Sequence, residues 1–503
     1  LEESVNWVRV FIVLLFFLAA IPLPAFAQKE QFRAFWVTLW QPGAKTPEEI
    51  DRLIETIQAS NANAIVVQVS RRGDAYYHRS FQPRTQDPAL PPEFDLLEYI
   101  IQRAHSAQPR IEVHAWLTTL AMWNTMLGPA PRDPNHVFNA HGPTKPGHKN
   151  WFTKRRDGTL RAGQDYYLDP GHPDAVDYVV EMYKTLVANY DVDGIHLDRV
   201  RYPEHGARQR STPEWGYNQA SIERFNTAHG RTGLPAPIDP DWIAWRRDQV
   251  TALVRKIYLS VLAIKPQIKV SAATITWGQG PTDLVQYAQT AAYSLVLQDH
   301  VGWLREGILD MSIPMNYQRE SMPNQRAWFR RWIEFEKDHQ FNRHVVIGPA
   351  LYLNPIFSSV TQIRAALDSS RAGNYAKGVC LFSYQYPANQ NKSLSDLARA
   401  LTLGNKYDAE FDPVFAEPVP TPRMPWKSNP ATGHIMGTVG GKSLDGLPVV
   451  ITGPEIRTIK TDGKGWFGAV DLKPGRYKVA LANTPIVSEI DVTAGEVATT
   501  ILD

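Results

Sequence analysis

A single cysteine, Cys380, stands among 503 residues, so no internal disulfide can form and packing alone must hold the fold. Nor does charge lean to either sign. The 53 Lys and Arg are matched by 51 Asp and Glu, a formal balance of +2 that offers no basic surface to a nucleic-acid backbone. No glycine-rich dinucleotide loop follows the first β-rich run, and neither HExxH nor HxH supplies the tight spacing of a zinc site. The longest apolar stretch, 10–21, falls short of the roughly 20 residues of a membrane span and is followed by Pro22 and Pro24. With Arg9 before it and Ala25-Phe26-Ala27 after it, this stretch reads as an export signal over 1–27, leaving no stable span after cleavage. Export without cystines fits a bacterial periplasmic, envelope or secreted protein. No cofactor is implied, and the sequence is silent on oligomeric state.

What is present is a regular alternation. Hydrophobic residues make up 43% and charged residues 21%, enough for a sizeable core. Short β-rich runs at 32–39, 64–69, 111–117, 192–197, 269–276, 308–315, 344–350 and 377–384 alternate with helical periods at 47–60, 96–107, 175–190, 242–264, 325–339, 360–370 and 394–403. The helix at 47–60 shows the local logic. Thr46 can cap it, Pro47 suits its first turn, Glu49 completes a capping box, and Ile50, Leu53, Ile54 and Ile57 form a buried stripe. Eight strands so connected predict an α/β fold, a (β/α)8 TIM barrel over 31–408, with 119–167 as a substrate-shaping insertion on the catalytic face. A Pro-rich stretch, 409–432, reads as a semi-rigid linker. Beyond it, 433–503 loses helical period and shows alternating runs at 434–439, 448–452, 468–472, 477–482 and 488–492, which predict a small all-β sandwich.

The strongest chemical signal is Asp193-Gly194-Ile195-His196-Leu197-Asp198. Side chains alternate along a strand, so Gly194, His196 and Asp198 share a face, and an inward face puts Asp198 on the catalytic rim with His196 one layer below. Glycosidic cleavage needs a carboxylate at the anomeric carbon and an acid for the departing oxygen. Asp198 suits the first role, with His196 beside it in the catalytic set, and Glu320 beyond strand six is the leading acid. Glu204 and Asp74 are the other contenders. Aromatics clustered at strand ends suit sugar faces. With the polar groups beside them they give a substrate-binding set of Trp36, Asp74, Tyr76, His114, Trp116, Arg201, Tyr202, Trp277, Asn316, Tyr317 and Tyr384, to which Trp40, Tyr77, Trp123, Gln68 and Gln318 can be added. His114 and His196 are expected to hydrogen-bond Asp198. Histidines at 105, 114, 136, 141, 148, 172, 196 and 205 keep open a metal-dependent hydrolase or deacetylase, although no metal ligand set can be named. A non-catalytic carbohydrate-binding barrel is the further alternative.

Arg33-Ala34-Phe35-Trp36-Val37-Thr38, Gly73-Asp74-Ala75-Tyr76-Tyr77, Glu112-Val113-His114-Ala115-Trp116, the 193–198 run, Arg201-Tyr202-Pro203 and Trp242-Ile243-Ala244-Trp245-Arg246-Arg247 together resemble the bacterial glycosyl hydrolase-like family 10 across roughly 31–405. That resemblance implies a polysaccharide partner, specifically peptidoglycan glycan strands stripped of their peptides. The turn signals Thr461-Asp462-Gly463, Gly465-Trp466-Phe467 and Leu472-Lys473-Pro474-Gly475-Arg476-Tyr477 resemble a carboxypeptidase regulatory-like module and imply no chemistry of their own.

Overall fold

The computed structural model describes residues 30–204, 212–386, 393–403, 413–441 and 444–503. The expected export signal, His205 and the first four residues of the Pro-rich stretch (409–412) lie outside the described residues. Among those described, no helix is long and apolar enough to cross a membrane.

Eight parallel strand positions close into a ring. Phe32–Val37 pairs with Gly378–Phe382 on one side and with Ala64–Ser70 on the other; Glu112–Thr118, Gly194–Asp198, Lys269–Thr274 and Met311–Asn316 follow in order. The seventh position is split into His344–Val345 and Gly348–Pro349, each paired with the sixth strand. Single parallel bridges, Ile347 with Val379 and Ala350 with Phe382, complete the closure. Strands covered on both faces are apolar on both, hence the continuous runs in the sequence. Phe32, Ala34, Trp36, Val66, Trp116, Ile313 and Cys380 fill the interior, while Phe35, Val37, Ile65 and Val67 pack outward against helices. Two glycines make room for the large interior rings. A Cβ on Gly348 would stand 2.7 Å from the Trp36 ring, and one on Gly194 would stand 2.2 Å from His114 Nδ1.

The helices follow the expected capping chemistry with one adjustment. In Pro47–Ala59 the Thr46 hydroxyl accepts from Glu49 N at 3.3 Å, but the Glu49 carboxylate reaches Lys45 N at 2.7 Å instead of Thr46 N. Gln219–His229 and His300–Glu306 are additional helices within long connections whose apolar stripes are too short to read as periodic.

From residue 413 the Pro-rich stretch is not a free tether but a strap across the barrel floor, the end away from the mouth. Its carbonyls are taken up by barrel amides: Asn61 Nδ2 donates to Phe415 O, Asn63 Nδ2 to Val419 O, and Gln31 N to Pro420 O, at 2.8 to 3.0 Å. Phe415 and Met424 are buried, and Met424 joins the cluster that fills the barrel interior. A chain rich in proline lacks donors but keeps every acceptor, so donors on the floor can fix it.

Two sheets then pack face to face: Trp466–Leu472, Gly433–Val439 and Val497–Leu502 in one, Ile456–Lys460, Pro448–Thr452, Gly475–Leu481 and Val487–Val492 in the other. Ile435, Val449, Ile451, Phe467, Tyr477 and Val479 form their shared core. The strands at 456–460 and 497–502 are not foreseen because the first is largely exposed, the second only partly buried, and neither shows clean alternation. Trp466 and Val470 belong to the barrel's main hydrophobic cluster, and Lys256–Asp462 and Arg343–Asp471, each at 2.7 Å, tie the sandwich to the barrel.

Candidate active site

The strand ends of the ring open into a cavity of about 410 Å³ walled by Trp36, Trp40, Trp116, Tyr317 and Phe382. Asp198 closes the fourth strand in register with Thr118 of the third, and both line this cavity. Arg199 then turns into the left-handed region with φ 53°, which breaks the strand and lets two consecutive side chains face the same space. Among the described residues no hydrogen bond or ion pair engages the Asp198 carboxylate. It stands open to a ligand.

The second carboxylate in the cavity is Asp165, which the sequence reading did not single out. It comes from the insertion, where Ala121–Asn124 and Asp165–Tyr167 form a two-stranded ribbon over the mouth. Asn124 Nδ2 donates to one of its oxygens at 2.6 Å, and Arg199 Nη1 pairs with the other at 2.7 Å while also reaching the Tyr167 hydroxyl at 2.7 Å. Both of its oxygens are thus engaged by donors.

His196 and His114 do not reach Asp198, contrary to expectation. Trp36 Nε1 donates to His196 Nε2 at 3.1 Å, which leaves Nδ1 to donate to Ser271 Oγ at 2.9 Å, and Ser271 passes its proton toward Ile195 O at 3.2 Å. Both ring nitrogens are used, and burial pushes the imidazole pKa down to about 3. His196 is thus a neutral post that fixes Trp36 from below, outside the cavity lining. His114 sits a layer deeper, pointing Nε2 to Glu112 at 3.2 Å near the floor. Inward parity was right for both; their depth in the barrel removes them from the mouth.

Glu320 is likewise not brought to Asp198. Arg330 and Gln362 hold its two oxygens at 3.1 and 3.2 Å, and it does not line the cavity. Glu204 lies half exposed, 3.7 Å from Arg201. Asp74 lines an adjoining groove of about 730 Å³ that shares Trp40, Arg71 and Arg72 with the cavity. Burial raises its carboxyl above the ordinary value, against the lowering effect of Thr85, Arg71 and Arg72.

Of the expected binding residues, Trp36, Trp116, Arg201 and Tyr317 line the cavity, together with Trp40 and Gln68. Asp74, Tyr76 and Trp123 line the groove. Trp277 lies partly exposed with Arg201 over its ring at 5.9 Å. Tyr202 is buried with its hydroxyl on Asp169 at 3.3 Å, and Tyr77 is buried against Tyr190, so neither faces the cavity. Asn316 is fully buried, beside the inward Met315, with its amide unpaired. Tyr384 lines a separate shallow recess with Gln41 and Glu49. Arg71 and Arg72, directly beyond the second strand, were available in the sequence as an Arg-Arg-Gly run and were missed because that loop was read for its aromatics. Among the described residues, no three His, Cys, Asp or Glu side chains cluster as a bound metal would require.

Comparison with known proteins bears on this geometry. The model of a family described as Glycosyl hydrolase-like 10 matches residues 31–362. The chain is 26% identical to glycosyl hydrolase YngK of Bacillus subtilis over 86% of its own length and 81% of that protein. It is 24% identical to glycosyl hydrolase DigH of Escherichia coli K12, covering 67% and 75% of the two chains. Among solved structures, the PgaB (BpsB) glycoside hydrolase domain from Bordetella bronchiseptica superposes with a TM-score of 0.52 at 14% identity, covering 73% of this chain and 99% of that one, a likeness of fold.

Proposed function

The chain belongs to the Glycosyl hydrolase-like 10 family, and from that premise we propose that it is an exported glycoside hydrolase that cleaves an amino-sugar glycan, namely peptidoglycan strands stripped of peptide. The observation that carries the reading is the open Asp198 carboxylate at the mouth of a closed barrel, inside a cavity walled by indole and phenol rings. Rings of this kind stack on sugar faces, and a carboxylate among them can bear or trap the positive charge that develops at the anomeric carbon.

The departing oxygen needs a proton. Both oxygens of Asp165 are taken up by Asn124 and Arg199, and those of Glu320 by Arg330 and Gln362. Asp74, whose carboxyl is raised by burial in the groove next to the cavity, is the donor this reading favours. In the reaction the anomeric C–O bond breaks, the proton of the Asp74 carboxyl passes to the leaving oxygen, water supplies the hydroxyl of the new reducing end, and the proton that this water releases restores the Asp74 carboxyl. The signal-like N-terminus supports delivery outside the cytoplasm. The C-terminal sandwich is read as a carboxypeptidase regulatory-like module with no part in the chemistry.

The test is incubation of the protein with defined bare glycan strands. Asp198→Asn is expected to lower turnover by at least about a thousandfold while binding persists, and Asp74→Asn by about a hundredfold with loss of the basic limb of the pH profile. Glu320→Gln is expected to cost less than either. Unchanged turnover in Asp198→Asn would remove the assignment, and binding without cleavage by the wild type would make the barrel a carbohydrate-binding protein.

A further inference from the structure

The charge lining the cavity is unbalanced. Arg71, Arg72, Arg199 and Arg201 face it, against Asp165 and Asp198. Arg199 and Asp165 satisfy each other, and Arg201 has Glu204, outside the cavity lining, at 3.7 Å, which leaves Arg71 and Arg72 facing the one open carboxylate, Asp198. Among the described residues neither Arg71 nor Arg72 has an ion-pair partner, and the Nε and Nη1 atoms of Arg201 are buried without a hydrogen-bond acceptor. A half-buried guanidinium with no ion-pair partner is costly, so two side by side in one loop, facing a third whose buried N–H groups are unmet, need an explanation.

The loop that carries Arg71 and Arg72 is built to hold them still. Arg72 has φ 137°, a conformation that a side-chain-bearing residue rarely adopts, and its carbonyl accepts from His136 Nε2 at 2.8 Å. Gly73 follows with φ 80°, and a Cβ there would stand 2.7 Å from the His136 ring, so only glycine lets that ring close on the loop. Ser70 and Ala75 bridge beneath it. Strain of this kind, fixed by a buried neighbour, is what a positioned ligand contact demands. Arg71 lies 5.8 Å from the Trp40 ring, and Trp40, Arg71 and Arg72 all border both the cavity and the groove. A ring stacked on Trp40 would therefore present its substituents to two unpaired guanidinium groups.

We propose that Arg71 and Arg72, with Arg201 across the cavity, form a subsite for an acidic sugar, a ring bearing a free carboxylate, beside the Asp198 centre. A planar fork of N–H donors matches a carboxylate in two-point contact, and the aromatic wall selects a carboxylate carried on a sugar over a free anion. The inference rests on the glycosidase reading and narrows it. The substrate is anionic, as a glycan strand becomes when amide-linked peptide is stripped from its acid substituents and the carboxylates are left bare.

The test is binding of the full chain to a defined acidic tetrasaccharide and to the same tetrasaccharide with its carboxylates reduced to alcohols, both measured by calorimetry. The wild type is expected to prefer the acidic form by about tenfold or more, with the preference falling as salt rises. In Arg71→Gln and Arg72→Gln the ratio of the two affinities should fall toward one, and Arg72→Lys should restore part of it. Thermal unfolding of each variant checks that the fold persists. Equal wild-type affinity for both forms, or failure to bind either, overturns the subsite, as does a preference untouched by Arg71→Gln and Arg72→Gln in chains that remain folded. The glycosidase reading fails separately: a clear preference for the acidic form with turnover unaffected by Asp198→Asn would sink the catalytic assignment and leave the subsite standing.

Discussion

Individual side chains settle where the site can be. Gly194 begins the strand that ends in Asp198, and it is glycine because His114 occupies the space a methyl would need, 2.2 Å from its Nδ1. Gly194→Ala is therefore expected to destabilise the barrel by at least about 3 kcal/mol, the upper range for overpacking a tight core. Shortening the neighbour should relieve much of that, so Gly194→Ala with His114→Ala should fall well short of the sum of the single changes in urea unfolding. Additive costs would show that the two do not meet. The same alternation made the rim position of Asp198 legible, since a period of two needs only the end of the strand to be right. It could not give the reach between layers, and so His114 and His196 were expected to hydrogen-bond Asp198 although Glu112 and Ser271 engage them below it. Asp165 was illegible for another reason. It reaches the cavity from an insertion of about fifty residues whose ribbon has three- and four-residue strands, too short to show a period.

At the scale of elements, the eight strands were readable within a few residues because burial on both faces leaves long apolar runs, and the split seventh strand was readable only as one. The strap was not readable as structure, since proline content looks alike in a tether and in a chain pinned by its carbonyls. Its energetic centre is Asp310, fully buried, which accepts from Trp426 Nε1 at 2.7 Å, Tyr258 OH at 3.1 Å and Val270 N at 2.8 Å, with Lys427 Nζ at 3.1 Å. Lys427→Met removes the cation and leaves the charge stranded, an expected loss of about 3–5 kcal/mol by urea unfolding. Adding Asp310→Asn should recover a substantial part, and no recovery would show that the pair is not the source. A chain ended after residue 432, strap retained, is expected to keep cleaving soluble glycan fragments, whereas one ended after residue 412 should unfold at markedly lower urea.

Over the whole molecule, one electrostatic theme recurs from mouth to floor to sandwich: histidines buried neutral. Burial pushes His136 down to about 4, His196 to about 3, His344 to about 3 and His434 to about 4, from an ordinary 6.5. In the unfolded chain each takes a proton as pH falls through its ordinary value, while the folded form refuses it until far lower. The unfolded state then binds more protons, so the stability present above pH 6.5 is lost progressively down to about pH 3 to 4. Glu112 adds to this in a lower window. Burial alone would raise it, but His114 and Lys269 outweigh that and hold its carboxyl below the ordinary 4.5, so its contribution fades as pH falls beneath that value. Both kinds of group weaken the fold in the same direction, and the ion pairs joining sandwich to barrel make the loss a property of the chain as one body. The urea midpoint is expected to fall steadily from pH 7 to pH 4, with most of the early loss between pH 6.5 and 5, before carboxylates titrate. His434 accepts from Asp471 N at 3.2 Å, so His434→Gln keeps an acceptor there while removing the titration. That variant should be somewhat less stable at pH 7 and show a shallower decline toward pH 4. A wild-type midpoint level between pH 7 and pH 5 would mean the histidines are protonated in the fold, and the neutral post beneath Trp36 would go with them.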